Sequence, residues 1–143
     1  DGFPDLYNAD EVKDIPNVTG TNDGSGVIAY ICDKPYFSRM IVEYNTIMGR
    51  KTKRIADGSR SNVKIPEHST KIKVRFENMR FINTWCDVKK YDRKKKCWCE
   101  PTVPHVFTFD TPVTRTFTLE GSLYYVAVMK VTDKHYNELD IME

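Results

Sequence analysis

Four cysteines, three histidines and one dense run of bases are the residues of this 143-residue chain whose types and spacing could do chemistry. The cysteines are Cys32, Cys86, Cys97 and Cys99. The last two lie in KKYDRKKKCWCEP, Lys89 to Pro101, where six bases and Asp92 run straight into Cys-Trp-Cys. An even cysteine count in a small chain fits an oxidising compartment. Cys97 and Cys99 are two residues apart, so on a strand they share a face and cannot easily bond each other. The expectation is two disulfides, joining Cys86 to one of that pair and Cys32 to the other. Cys-x-Cys with two distant single cysteines is a poor zinc pattern, and His68, His105 and His135 complete no other. No metal and no cofactor are expected. Asn17-Val18-Thr19 is a glycosylation sequon, with Asn17 as its acceptor, and leans toward a secreted, extracellular chain.

Catalysis has little to stand on. The chain has no Gly-rich phosphate loop, no G-x-S-x-G elbow and no H-E-x-x-H. The best enzymatic case is a nuclease using His68 or His105 with Glu67 or Glu100. His105, however, shares a strand face with Phe107 and Phe109, where a packed histidine is ordinary. His68 sits in the turn PEHST, where exposure is ordinary. The chain reads as non-enzymatic. A hydrophobic-ligand carrier is a third class, with Leu123–Val131 lining a cavity, but the same residues fill a plain core equally well.

The elements that must position these residues are strands. VIAYIC (Val27–Cys32) is an apolar run bounded by Gly26 and Asp33. SRMIVEYN sets Met40, Val42 and Tyr44 against Arg39, Ile41 and Glu43. KIKVRFENMRF sets Ile72, Val74 and Phe76 against Lys71, Lys73 and Arg75, with a kink near Asn78. Phe107 and Phe109, then Phe117 and Leu119, repeat the alternation. Glu120-Gly121-Ser122 reads as a tight hairpin into a central strand, Leu123–Val131. GRKTKRIADGSRSN (Gly49–Asn62) reads as a basic loop with an Asp57-Gly58 turn. The tail DKHYNELDIME is read as at most one or two helical turns. Seven or eight short strands with turns between them predict one all-β domain, an antiparallel β-sandwich or small barrel, stabilised by disulfides.

Charge divides the chain. Residues 1–26 carry six acids and one base, and residues 133–143 carry four acids and one base. Residues 27–132 carry twenty bases and ten acids, so a basic β domain lies between an irregular acidic N-terminal segment and an acidic tail. The opening DGFPDLYNAD shows no signal peptide and reads as a mature N-terminus or the start of an expressed fragment. No apolar run approaches the roughly 18 residues of a membrane span.

Lys89, Lys90, Tyr91, Arg93, Lys94, Lys95, Lys96 and Trp98 are then expected on a hairpin tip stapled at its base by a disulfide. Arg50, Lys51, Lys53 and Arg54 form a second basic cluster. Lys71, Lys73 and Arg75 form a row whose simplest role is to keep an edge strand from pairing. Bases beside amphipathic rings suit an anionic membrane or glycan surface, meaning lipid head groups or sulfated glycans. The functional expectation is a secreted, non-enzymatic surface binder, and one step further a membrane-active toxin or defence protein. In architecture it resembles small β-sandwich cytolysins, with cationic or aromatic loops at one end. The resemblance implies a mobile N-terminal segment, here residues 1–26, and assigns no residue roles. The rival is a secreted protein–protein binding module, an inhibitor or immune modulator, whose tip meets an acidic protein receptor. Nucleic acid is disfavoured by the secreted cysteine pattern.

Overall fold

Alternation with period two builds the core from both sides. The computed structural model describes residues 24–34, 36–56, 60–81, 84–89, 91–92, 97–98, 104–121 and 126–139. Its strands are β1 (Gly26–Ile31), β2 (Ser38–Thr46), β3 (Gly49–Ala56), β4 (Arg60–Ile65), β5 (Thr70–Phe81) and β6 (Thr84–Asp87). They continue with β7 (Tyr91–Asp92), β8 (Cys97–Trp98), β9 (Phe107–Phe109), β10 (Arg115–Glu120), β11 (Ala127–Thr132) and β12 (Glu138–Leu139). One five-stranded sheet runs β12-β11-β10-β1-β4. The second runs β3-β2-β5-β6, with β9 also on β5, and β7-β8 form a separate two-stranded ribbon.

The two large sheets pack as a sandwich. Ile28 and Tyr30 of β1, Phe117 and Leu119 of β10 and Val63 and Ile65 of β4 meet Met40 and Val42 of β2 and Ile72, Val74 and Phe76 of β5. Rings stack across the gap: Phe76 lies 5.7 Å from Tyr30 and 5.4 Å from Phe117. The buried Tyr30 hydroxyl donates toward the carbonyl oxygens of Ser38 and Ile55, each at 3.2 Å, which also ties the first sheet to the second. Gly26 is required where β1 begins, because a Cβ there would meet the Val113 carbonyl oxygen at 2.3 Å.

The all-β sandwich expectation holds, with three corrections. First, β1 pairs in parallel with β10, from Ile28↔Arg115 to Ile31↔Thr118. The long intervening chain supplies the crossover that a parallel pair needs. Second, Gly49–Asn62 is not a loop. β3 and the start of β4 occupy most of it, and β3 pairs with β2 over eight residues. β3 is an edge strand exposed on both faces, so its sequence lacks the alternation that burial imposes. Third, the tail forms β12 rather than a helical turn. The Asp133 carboxylate accepts from the backbone N–H groups of His135 at 2.8 Å and Asn137 at 2.9 Å. That side-chain clamp turns the chain back along β11. The described residues form twelve strands where seven or eight were expected, the surplus being mostly two- or three-residue pieces.

The disulfide expectation also changes. Cys32, at the end of β1, and Cys86, on β6, are free thiols, and no disulfide forms among the described residues. Cys32 is only 5% exposed and packs in the core. Burial, and then the neighbouring Cys32 thiol, push the Tyr36 hydroxyl well above its ordinary pKa. Cys97 lies opposite Asp92 in the β7–β8 ribbon. Cys99, Asn17 and residues 1–23 lie outside the described residues.

Candidate functional site, a basic face on the second sheet

The outward face of the second sheet gathers bases from three adjacent strands. In register across β3, β2 and β5 stand Arg54, Ile41 and Arg75, then Thr52, Glu43 and Lys73. Ile41 faces outward yet is 1% exposed, flanked by two arginines whose aliphatic stems can cover it. Near the end of the sheet the pairing slips between Glu43↔Lys73 and Asn45↔Thr70, and Lys71 takes a left-handed backbone, φ 51°. Such a bulge re-aims a side chain at a sheet rim. Arg50 joins the two basic clusters directly. It donates to Asn45 Oδ1 at 2.7 Å and to the Lys71 carbonyl oxygen at 3.1 Å, and pairs with Glu43 at 3.6 Å. Among the described residues no acid pairs with Lys51, Lys53, Arg54, Lys71 or Lys73.

The Lys71, Lys73, Arg75 row therefore sits on an interior strand, not an edge, so edge protection does not explain it. Edge protection fits β3, the true edge, which carries Arg50, Lys51, Lys53 and Arg54.

At the far end of the same face the charge is neutralised. Glu77 binds Arg39 at 2.6 Å and Arg75 at 3.0 Å, and Arg75 reaches Asp87 at 3.3 Å. The Arg39 guanidinium lies 4.1 Å from the centre of the Trp85 ring. Burial alone would raise the Glu77 pKa, but hydrogen bonds and charge from Arg39 and Arg75 outweigh it and hold the carboxyl below its ordinary value. Its folded pKa is depressed, so Glu77 contributes stability that is complete above its ordinary value near 4.5 and is lost as pH falls through the lower folded value. Glu77→Gln is expected to be destabilised relative to the native chain at neutral pH, with the gap closing below pH about 4.5. Thermal unfolding of both chains across that range checks it; a gap that does not depend on pH counts against the network.

The basic arm leaves the opposite edge of this sheet. β6 and β9 both run antiparallel to β5, so they form one edge strand interrupted by the segment between them. Backbone bonds close the root of that excursion: Val88 N–H to the Phe76 carbonyl at 2.9 Å and His105 N–H to the Val88 carbonyl at 3.0 Å. Lys89 then bridges Pro104, and Tyr91 and Asp92 pair with Trp98 and Cys97. The described parts of KKYDRKKKCWCEP, Tyr91–Asp92 and Cys97–Trp98, pair antiparallel, and backbone pairing closes the root, where Cys86 is a free thiol. Lys90, Arg93, Lys94, Lys95, Lys96 and the side chains of Tyr91 and Trp98 lie outside the described residues. β3 and the arm's root are three strand spacings apart, about 14 Å, on opposite margins of one face.

The histidines are scattered. His105 is buried, with its ring 4.3 Å from Phe107. His68 is exposed on the β4–β5 turn, φ 71°, with Nε2 3.4 Å from Glu67. Among the described residues no three His, Cys, Asp or Glu side chains group as metal ligands. Val126, Val128 and Val131 fill the core rather than line a cavity. A groove of about 350 Å³ between Val113, Arg115, Asp133 and His135 is charged, which does not suit a hydrophobic ligand.

Sequence reasoning passed over two residues on this sheet. Ile47 and Met48 form the β2–β3 turn and are 97% and 79% exposed. Their signal was an apolar pair where a turn ordinarily carries Asn, Asp or Gly.

No protein-family model and no curated protein matches the sequence. Solved structures give distant likenesses. Listeriolysin O is 13% identical with a TM-score of 0.42, over 76% of this chain and 22% of that one. A disulfide-locked mutant of intermedilysin with human CD59 is 9% identical with a TM-score of 0.40, over 83% of this chain and 24% of that one. The membrane-binding domain of pneumolysin is 12% identical with a TM-score of 0.41, over 76% of this chain and 95% of that domain. The chain spans about a quarter of the whole toxins it matches. A likeness this slight fixes neither ancestry nor activity.

Proposed function

We propose that the chain is a secreted, non-enzymatic module that binds anionic cell surfaces, lipid head groups or glycans, through the basic face of its second sheet. The basic arm is its second contact, and a membrane-active toxin or defence protein is its more specific form. The observation that supports the reading is Arg50, whose bonds to Asn45 and Lys71 merge the outward-facing bases of β3, Arg50 and Arg54, with the β5 row into one patch. Acids balance that patch at the Glu77 end and leave it unbalanced at the Lys71 end. Clustered surface bases of this kind raise the local concentration of anions and lose their pull as salt screens them beyond about 8 Å.

The test is binding to phosphatidylserine-containing vesicles, to heparin and to phosphatidylcholine vesicles over a range of sodium chloride. Binding to the anionic surfaces should fall steeply with salt, with little binding to the neutral vesicle. Equal binding to neutral and anionic vesicles, or tight salt-insensitive binding to one acidic protein instead, overturns it.

A further inference from the structure

Resting on that reading, we propose that the β2–β3 turn is an insertion tip. Ile47 and Met48 enter the hydrocarbon margin of an anionic bilayer while Arg50, Lys51 and Lys71 hold phosphates at the rim. The partner is therefore a lipid surface rather than a glycan.

The turn is built to hold apolar side chains in water. Neither Ile47 nor Met48 has a positive φ; Gly49 supplies the left-handed residue at φ 112°, and a Cβ there would meet nothing within 4 Å. Glycine is thus needed for the backbone and not for packing. The Thr46 hydroxyl donates to the Gly49 carbonyl at 3.0 Å and accepts from the Met48 N–H at 3.0 Å. This clamp fixes the turn, so little ordering remains to oppose docking.

Single exposed apolar residues need no explanation, but this pair is different. Ile47 and Met48 are adjacent, occupy the extreme end of a hairpin, and are followed at once by bases. Arg50 and Lys51 stand opposite Asn45 and Tyr44, one and two rungs behind the turn, or about 3–7 Å. Interfacial segments bury their apolar face about 5–10 Å, which would set these bases at phosphate depth. The clamped Arg50 keeps the collar in place, and Lys71 joins it through the bulge. Glu43, 3.6 Å from Arg50, is the acid paired with this collar, and Lys51 and Lys71 have no acid partner among the described residues. A sulfated glycan would use the bases but has no place for Ile47 and Met48; a bilayer uses both.

The experiment compares the full chain with Ile47→Ser/Met48→Ser on phosphatidylserine-containing vesicles and on heparin. Both side chains are exposed, so the variant should keep the native near-ultraviolet dichroism and melting temperature. The expected result is a loss of vesicle affinity of roughly 30-fold or more, from the apolar surface no longer buried, with heparin retention unchanged. In a second variant, Met48→Trp, added indole emission should be quenched by brominated acyl chains. Equal vesicle binding by the Ser variant, with no extra quenching in the Trp variant, overturns the insertion tip and leaves the surface reading standing. Heparin binding without vesicle binding by the native chain overturns the lipid partner. Failure of the native chain on both surfaces overturns the surface reading itself.

Discussion

Phe76→Ala is expected to lower the free energy of unfolding by about 3–5 kcal/mol. Phe76 is 0% exposed at the middle of β5, the strand that pairs with β2, β6 and β9. Its ring touches Tyr30 and Phe117 from the other sheet, so one truncation opens a cavity between layers that cannot close without moving both. The Phe76 carbonyl also accepts the Val88 N–H at the root of the arm. Loosening this position should therefore weaken the arm's anchorage as well as the core. Urea unfolding measures the first effect and hydrogen exchange at Val88 and His105 the second. A stability loss under about 1 kcal/mol would mean that the sheets do not meet through this residue.

The elements that the sequence announces are those that burial shapes. β2, β5 and β10 put apolar residues on one face, where the period-two signal locates them within a residue or two, and β1, buried on both faces, shows as an unbroken apolar run. β3 carries no such signal because water meets both its faces; its strand character comes from hydrogen bonds to β2, which composition does not record. The parallel β1–β10 pair joins residues nearly ninety positions apart, and local pattern is blind to such pairing. Cysteine count gave a pairing rule without distances, and the positions of Cys32 and Cys86 in the folded sheets overrule it. For the site, the sequence supplies the charges but not their adjacency. Only the register of β3, β2 and β5 brings Arg54 and Arg75 to one row and Arg50 to Lys71. Ile47 and Met48 fell between a strand reading that ended at Asn45 and a loop reading that began at Gly49.

Charge reversal at Arg54, Lys71 and Lys73 to Glu is expected to weaken binding to anionic vesicles by at least 10²-fold, since each base near such a surface contributes about 1 kcal/mol. These three stand on the outward face or its rim, are exposed and make no ion pair among the described residues, whereas Lys51 and Lys53, opposite the core residues Tyr44 and Val42, lie on the other face of β3. Arg50 is kept, since its bonds to Asn45 and Lys71 hold the hairpin in shape. Arg39 and Arg75 are kept because Glu77 needs them. The companion variant, Lys94→Glu/Lys95→Glu/Lys96→Glu, reverses three charges on the arm and should cost about 10²-fold by the same reckoning. β3 and the arm's root lie on opposite margins of one sheet, about 14 Å apart and beyond one screening length at physiological salt, whereas Lys73 stands on β5, which bonds the root directly. The loss at Arg54 should therefore multiply with the arm variant's, as for independent contacts, and the loss at Lys73 should overlap with it. A face variant that binds within about threefold of the native chain would remove the sheet from the mechanism and leave the arm as the anionic contact. A combined loss no larger than the face variant's alone would mean that the arm never reaches the surface, which the tip-first geometry of Ile47 and Met48 allows.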